Sequence, residues 1–289
     1  MHIANKKRIT AMRNILPFIL AAALSAILPV SCNQAGTRPK VETRTLGDST
    51  KYVTFKMDID LPAPGKGAAS VMREEAISIL DEQLGHITTY ESERMFPPFD
   101  GDRNDTDALL GYYSSLAFGL AAKEAQEDAS GWVEDFPTWE YDYSFKKIGE
   151  GERYIVFYSS NYIYMGGAHG GITGAGGITF DRRTGKRVAP VIDASSTKDI
   201  QPLLIKGLLQ YYKENDVEMS GDELLEGLFI EDGIIPLPAW DPYPTEDGLV
   251  FTYQQYEIAS YAEGMPSFVM DFKDAAPFLT PEARAVLGL

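Results

Sequence analysis

Between Tyr52 and Leu61 apolar and polar residues alternate without a break, and Val53, Phe55, Met57, Ile59 and Leu61 share one side. A period of two predicts a half-buried strand, because successive side chains of an extended chain point to opposite faces. Pro62 and Pro64 end it. The period then changes. Val71, Ala76, Ile77, Leu80 and Leu84 recur at helical spacing within 68–87, with charges between them. The stretch 88–106 is polar, carries Pro97-Pro98, and reads as a loop. Leu109, Leu110, Tyr113, Leu116, Leu120 and Ala121 predict a second helix over 106–130.

From Trp139 the chain turns to strands. Trp139–Phe145 alternates, Gly149-Glu150-Gly151 marks a turn, and Tyr154–Tyr164 is rich in Tyr, Ile and Val. Ile178-Thr179-Phe180 begins a third strand, followed by a hairpin turn over Asp181–Lys186 with Gly185 at positive φ. A helix is expected over 193–215, capped by Ser195, Ser196 or Thr197, and a short one over 221–229. Two final strands, 248–259 and 267–272, precede a helical tail over 277–289. The predicted class is α+β, a mainly antiparallel sheet with packed helices.

The N-terminus has a different character. Lys6, Lys7, Arg8 and Arg13 precede 16 uncharged positions, Ile15–Val30. That run is short for a membrane span, which needs about 20 apolar residues. A basic start, a short apolar run and a small residue before a cut describe an export signal over residues 1–31. Cys32, the single cysteine, follows Ser31 and resembles the lipid-bearing residue of a bacterial lipobox, although Pro29 stands where leucine is usual. The alternative is ordinary cleavage beside an incidental cysteine. The lipoprotein reading implies a cell-envelope location, extracytoplasmic and held to the membrane through the lipid. Residues 32–49 are polar without a period and are expected to be a flexible tether. The expected folded parts are an N-terminal subdomain, 50–135, and a C-terminal domain, 136–289.

Charge narrows the partners. The whole chain carries −16. Without the four basic residues of the signal, 22 basic residues face 42 acidic ones, a net −20. Such a surface repels nucleic acid and favours a basic protein partner. With two histidines, His86 and His169, beyond the signal and no Cys or His pair at ligand spacing, no metal and no cofactor are expected.

The most distinctive stretch is Ser160–Gly177, with seven glycines in the 12 positions from 166 to 177. It lacks the Gly-Lys-Ser/Thr of a phosphate loop and reads as a bulged or wide connection between strands. Tyr162 and Tyr164 share one face of their strand, as a stacking surface for sugar or protein or as packing. Gly166 and Gly167 suit positive φ and close approach. His169 shapes the glycine loop or serves as an acid–base group. Pro236–Pro244 is a proline-stiffened loop carrying Trp240 and Tyr243, either a recognition element or a plug over the sheet. The expected ligand-binding set is thus Tyr162, Tyr164, Gly166, Gly167, His169, Trp240 and Tyr243, with no catalytic residue assigned.

The tyrosine-rich strand, Gly166-Gly167-Ala168-His169-Gly170, Phe180-Asp181, Thr184-Gly185-Lys186, the segment Gly248–Ala259 and the turn Tyr261-Ala262-Glu263-Gly264 together resemble RsiV-like extracytoplasmic domains over about 139–280. That family includes lysozyme-sensing anti-sigma factors, and the domain is found beside polysaccharide deacetylases. The 14 residues before the apolar run are too few for a sigma-binding segment, and no deacetylase domain follows. The resemblance implies a sensing or binding domain whose ligand is a lysozyme-like muramidase or an envelope glycan. The rival expectation is an enzyme acting on envelope polysaccharide, a peptidoglycan hydrolase or deacetylase-like protein with His169 and a carboxylate as acid and base.

Overall fold

A computed structural model describes residues 38–86, 94–131, 136–167 and 170–289. The expected signal over 1–31, Cys32 and His169 lie outside these residues.

The chain is α+β, as its periodicities predict. Strands β1 (Val41–Ser49) and β2 (Val53–Pro62) are followed by helices α1 (Ala68–Leu84) and α2 (Thr106–Ser130), then by β3 (Trp139–Glu150), β4 (Tyr154–Tyr164) and β5 (Ile172–Asp181). These strands form one five-stranded sheet in the order β1-β2-β3-β4-β5. All neighbours are antiparallel except β2 and β3, which are joined by α1 and α2 and run parallel. A parallel pair needs such a crossover, because no tight turn can bring the chain back to the same end.

The alternation in β2 does what it predicts. Val53, Phe55, Met57, Ile59 and Leu61 are buried with Met72, Ile77 and Leu80 of α1 and Leu109, Leu110 and Tyr113 of α2. Asp105 caps α2, its side chain accepting from the Ala108 amide at 2.9 Å. Arg73 lies among the apolar residues of α1, only 1% exposed. Its guanidinium donates to the carbonyls of Pro62 and Arg103 and to Thr106 Oγ1, at 2.7–2.9 Å. It joins the end of β2 to the starts of both helices, and burial pulls its pKa down.

Helices α3 (Gln201–Glu214) and α4 (Gly221–Gly227) open the second half. A three-stranded antiparallel sheet follows, in the order β6 (Tyr243–Pro244), β7 (Leu249–Thr252), β8 (Ser267–Met270), and the short helices α5 (Phe272–Ala275) and α6 (Pro281–Leu287) close the chain. A second core, running from Val188 to Val286, packs α3 onto this sheet.

Four expectations are corrected. Within the expected tether, residues 41–49 form β1. Backbone pairing with β2 holds this edge strand, so it needs no hydrophobic period. The expected boundary at 135/136 falls between two strands of one sheet, since β2 pairs with β3; the cores separate after Phe180 instead. Gly174, Gly176 and Gly177 lie inside β5 rather than in a connection. The strand expected over 248–259 stops at Thr252, and a turn over residues 254–258 replaces its second half.

Candidate functional site

The glycines of β5 make room for the second core. Successive strand residues face opposite ways, so positions 176 and 177 look out on the two faces of the sheet. A Cβ at Gly176 would run into the Trp240 ring, and one at Gly177 into the Tyr243 ring. The loop Pro236–Pro244 therefore straddles the edge of β5 with one aromatic on each face. Tyr243 is only 8% exposed, meets the Tyr158 ring edge-on at 5.9 Å, and has its hydroxyl pKa pushed well up by burial. Tyr253 Oη donates to the Pro236 carbonyl at 2.9 Å, and Asp241 Oδ1 accepts from the Val191 amide at 2.8 Å. Both ends of the loop are thus pinned.

Farther up the same edge, side chains stand in for a sixth strand. Gln255 Oε1 accepts from the Thr173 amide at 2.8 Å. Gln254 accepts from the Ala175 amide and donates to the Ala175 carbonyl, both at 2.9 Å. The open backbone of an edge strand is satisfied in this way without another strand. Next to them, Glu257 receives the Ala239 amide on Oε1 and the Gln254 amide on Oε2, each at 2.7 Å. Residues 254, 255 and 257 are all held by backbone groups.

Tyr256, between them, is not. It is 57% exposed and sits at φ 65°. Positive φ in a bulky residue costs about 1–3 kcal/mol and persists where the surroundings over-determine the backbone. Here the three neighbouring side chains do so. The Tyr256 ring lies 5.9 Å from that of Tyr261, whose hydroxyl donates to the Gly171 carbonyl at 2.7 Å.

The two edges of the glycine stretch meet at this point. Gly166 and Gly167 have φ of 81° and 103°, in the region where a side chain is strained. Tyr164 Oη lies 3.5 Å from the Gly167 carbonyl, at the limit of a hydrogen bond. The Tyr162 ring rests on Gly171, where a Cβ would collide with it. Burial raises the Tyr162 pKa, with Glu140 and Tyr261 adding to the effect.

The structure thus brings Tyr162, Tyr164, Gly166 and Gly167 together at one end of the sheet. It adds Tyr256 and Tyr261, which sequence reading missed. It turns Trp240 and Tyr243 inward against β5. The missed signal was Gln254-Gln255-Tyr256-Glu257, where three polar residues surround one aromatic; read as a strand, it hides the turn.

Several carboxylates elsewhere are held by a basic side chain. The Asp58 pKa is lowered chiefly by its hydrogen bond from Lys146 at 2.9 Å, that of Glu150 by Lys147, and that of Asp107 by Arg44. Glu124 on α2 is shifted the other way, by burial and then by Glu127. Among the described residues no group of three or more His, Cys, Asp and Glu is placed to hold a metal ion. No described helix is long and apolar enough to cross a membrane.

Residues 197–273 match the model of a protein family of unknown function, DUF3298. That segment includes α3, the Pro236–Pro244 loop and the Tyr256 turn. Two solved structures share the architecture. A DUF3298 family protein from Pseudomonas aeruginosa PAO1 aligns over 86% of this chain and 98% of its own, with 15% identity and a TM-score of 0.55. A member of the DUF3298 family from Bacteroides fragilis NCTC 9343 aligns over 88% and 98%, with 14% identity and a TM-score of 0.57. At these identities the likeness is one of fold. No curated protein matches the chain.

Proposed function

We propose that this chain is a lipid-anchored, extracytoplasmic binding protein that captures a basic protein ligand at the Tyr256 turn, and that the ligand is a lysozyme-like muramidase. One observation carries the choice of surface: Tyr256 is held outward, in a strained conformation, by neighbours that are themselves fixed. An aromatic ring immobilised before binding loses little entropy on contact, which is the property of an interfacial hot spot. Tyr261 and the glycine loop complete the patch. Charge supports the ligand class, since between Lys213 and Lys273 the sequence contains no Lys or Arg and 14 Asp or Glu. A basic protein is drawn to such a surface. The resemblance to lysozyme-sensing domains supplies the muramidase, and the signal-like N-terminus with Cys32 supplies the envelope and the anchor.

Calorimetry tests the ligand. Lysozyme binding should persist at physiological salt while binding of cytochrome c, an equally basic control, disappears. Charge attraction alone is screened beyond about 8 Å under those conditions. If both fade together, the muramidase is not the ligand. The anchor is tested by growing cells with radioactive fatty acid: label should enter the protein and be lost in Cys32→Ala.

A further inference from the structure

Among the described residues, the most exposed large apolar side chain is Phe229, at 59%. It follows Leu228, which is buried in the second core, and precedes the half-buried Ile230. Side chains of an extended chain alternate between two sides, so three apolar residues in a row cannot all face inward. Phe229 is the one turned out, yet its backbone is fixed. The Phe229 amide donates to the carbonyl of the fully buried Ile258 at 2.8 Å. Glu231 and Ile234 then pair across a tight turn, with Asp232 at φ 53° and Gly233 at φ 65°. Two successive residues at positive φ make the hairpin turn that Asp-Gly favours. Beyond the turn, Ile235 is tied to Gln201 of α3: its amide donates to Gln201 Oε1 and its carbonyl accepts from Gln201 Nε2, both at 2.9 Å. The hairpin is thus held at both ends.

We propose that Phe229 is a second anchor of the interface at the Tyr256 turn, and that the partner meets both with an apolar spot ringed by Lys or Arg. This rests on the reading of that turn as the binding surface. The bond from Phe229 to Ile258 brings the two rings into one neighbourhood. Hydrogen-bonded backbones lie about 5 Å apart and two residues span at most about 7 Å, so the Cα atoms of Phe229 and Tyr256 are within about 12 Å. Both side chains are more than half exposed, and both stand on backbone that is fixed before binding, which keeps the entropy lost on contact small. Charge selects the occupant. Glu226, Glu231 and Asp232 are exposed on either side of Phe229 in the chain. Among the described residues none of these three enters an ion pair; within 214–272 the paired acids are Asp241, with Arg187, and Asp271, with Lys273. A second copy of this chain would set like charges against them, and so would a nucleic acid. A basic protein surface neutralises the carboxylates while its apolar spot covers the rings, which gives the apolar centre and polar rim of a protein interface.

Calorimetry with lysozyme at physiological salt tests this. Phe229→Ala should weaken binding at least tenfold with an unchanged melting curve, since the side chain is exposed. Phe229→Tyr, which keeps the ring, should stay within threefold of the wild type. Ile148→Ala, which removes an exposed apolar side chain from β3, should bind as the wild type does. Full affinity in folded Phe229→Ala beside a weakened Tyr256→Ala overturns this inference alone and leaves the turn as the site. A lowered melting temperature in Phe229→Ala with affinity retained assigns the ring to packing and overturns it equally. Full affinity in folded Tyr256→Ala beside a weakened Phe229→Ala removes the turn from the interface, and with it the two-anchor arrangement. No lysozyme binding by the wild type at that salt overturns both readings together.

Discussion

The Pro236–Pro244 loop and the turn at residues 254–258 pack beside the same strand and both carry aromatic residues, yet they use them in opposite ways. The loop has the features of a recognition element, with proline stiffening and two large rings. Its rings are nevertheless turned inward, because Gly176 and Gly177 leave a seat on each face of β5. The turn looks unremarkable in sequence. It presents its ring outward, because Gln254, Gln255 and Glu257 are all bonded to backbone and leave Tyr256 no inward place. Whether an aromatic side chain becomes core or contact is decided by the backbone it faces, and the side chain itself does not reveal which.

The difference can be broken experimentally, beginning with the largest effect. Tyr243→Ala removes a buried ring from its glycine seat and should cost about 3 kcal/mol or more of stability, as large aromatic truncations do. Urea denaturation measures it, and a loss below about 0.5 kcal/mol, the range of ordinary surface changes, would mean that the loop is not a plug.

Tyr256→Gly should do the reverse. Glycine accepts φ 65° freely, so the melting temperature should hold or rise, while lysozyme binding weakens by about 2 kcal/mol, as for a hot-spot residue. A variant that loses stability and binds normally would assign Tyr256 to packing.

Glu257→Gln keeps one acceptor oxygen for two amides. It should cost about 1 kcal/mol of stability, the net value of one hydrogen bond, and loosen the Tyr256 turn enough to weaken binding in step. Equal affinity in this variant would show that the turn needs no fixing.

The smallest effect lies away from both loops and sets the scale. Hydrogen bonding from Lys146 lowers the Asp58 pKa below its ordinary 3.8. A depressed carboxyl stabilises the fold above its unfolded pKa and ceases to do so as pH falls through its folded value. Asp58→Asn should therefore cost no more than about 1 kcal/mol at neutral pH, and the gap to wild type should close below about pH 4. A gap that widens in acid would reverse the sign assigned to this pair.

Much of the architecture was legible in the chain. The alternation from Val53 to Leu61 is β2 nearly residue for residue, and the helical period over 106–130 is α2 with the same limits. β2 buries one continuous apolar face, so its period is strong; α2 buries Leu109, Leu110, Tyr113, Ala117 and Ala121 but leaves Leu116 exposed, so its limits were easier to read than its buried face. The site was legible only in part. Tyr162, Tyr164, Gly166 and Gly167 do converge. Tyr261 and Tyr256 join them through contacts spanning about ninety positions of sequence, such as Tyr261 to Gly171, which no local pattern encodes. Arg73 shows the same limit in the core: in sequence it is one charge among several on α1, and only the carbonyls of Pro62 and Arg103 arriving around it make it a buried tie.

The sequence by itself determined the α+β class, the amphipathic strand β2 and the helices of the first core, and positive φ at Gly166, Gly167 and Gly185. These follow from side-chain period and backbone sterics, which act over a few residues. The tertiary structure alone decided that residues 41–49 are an edge strand, that the glycines of β5 are seats rather than a loop, and which tyrosine meets solvent. Those outcomes depend on where distant backbone amides and carbonyls find partners. A polar strand, a glycine or a tyrosine is compatible with several partners until the chain closes around it.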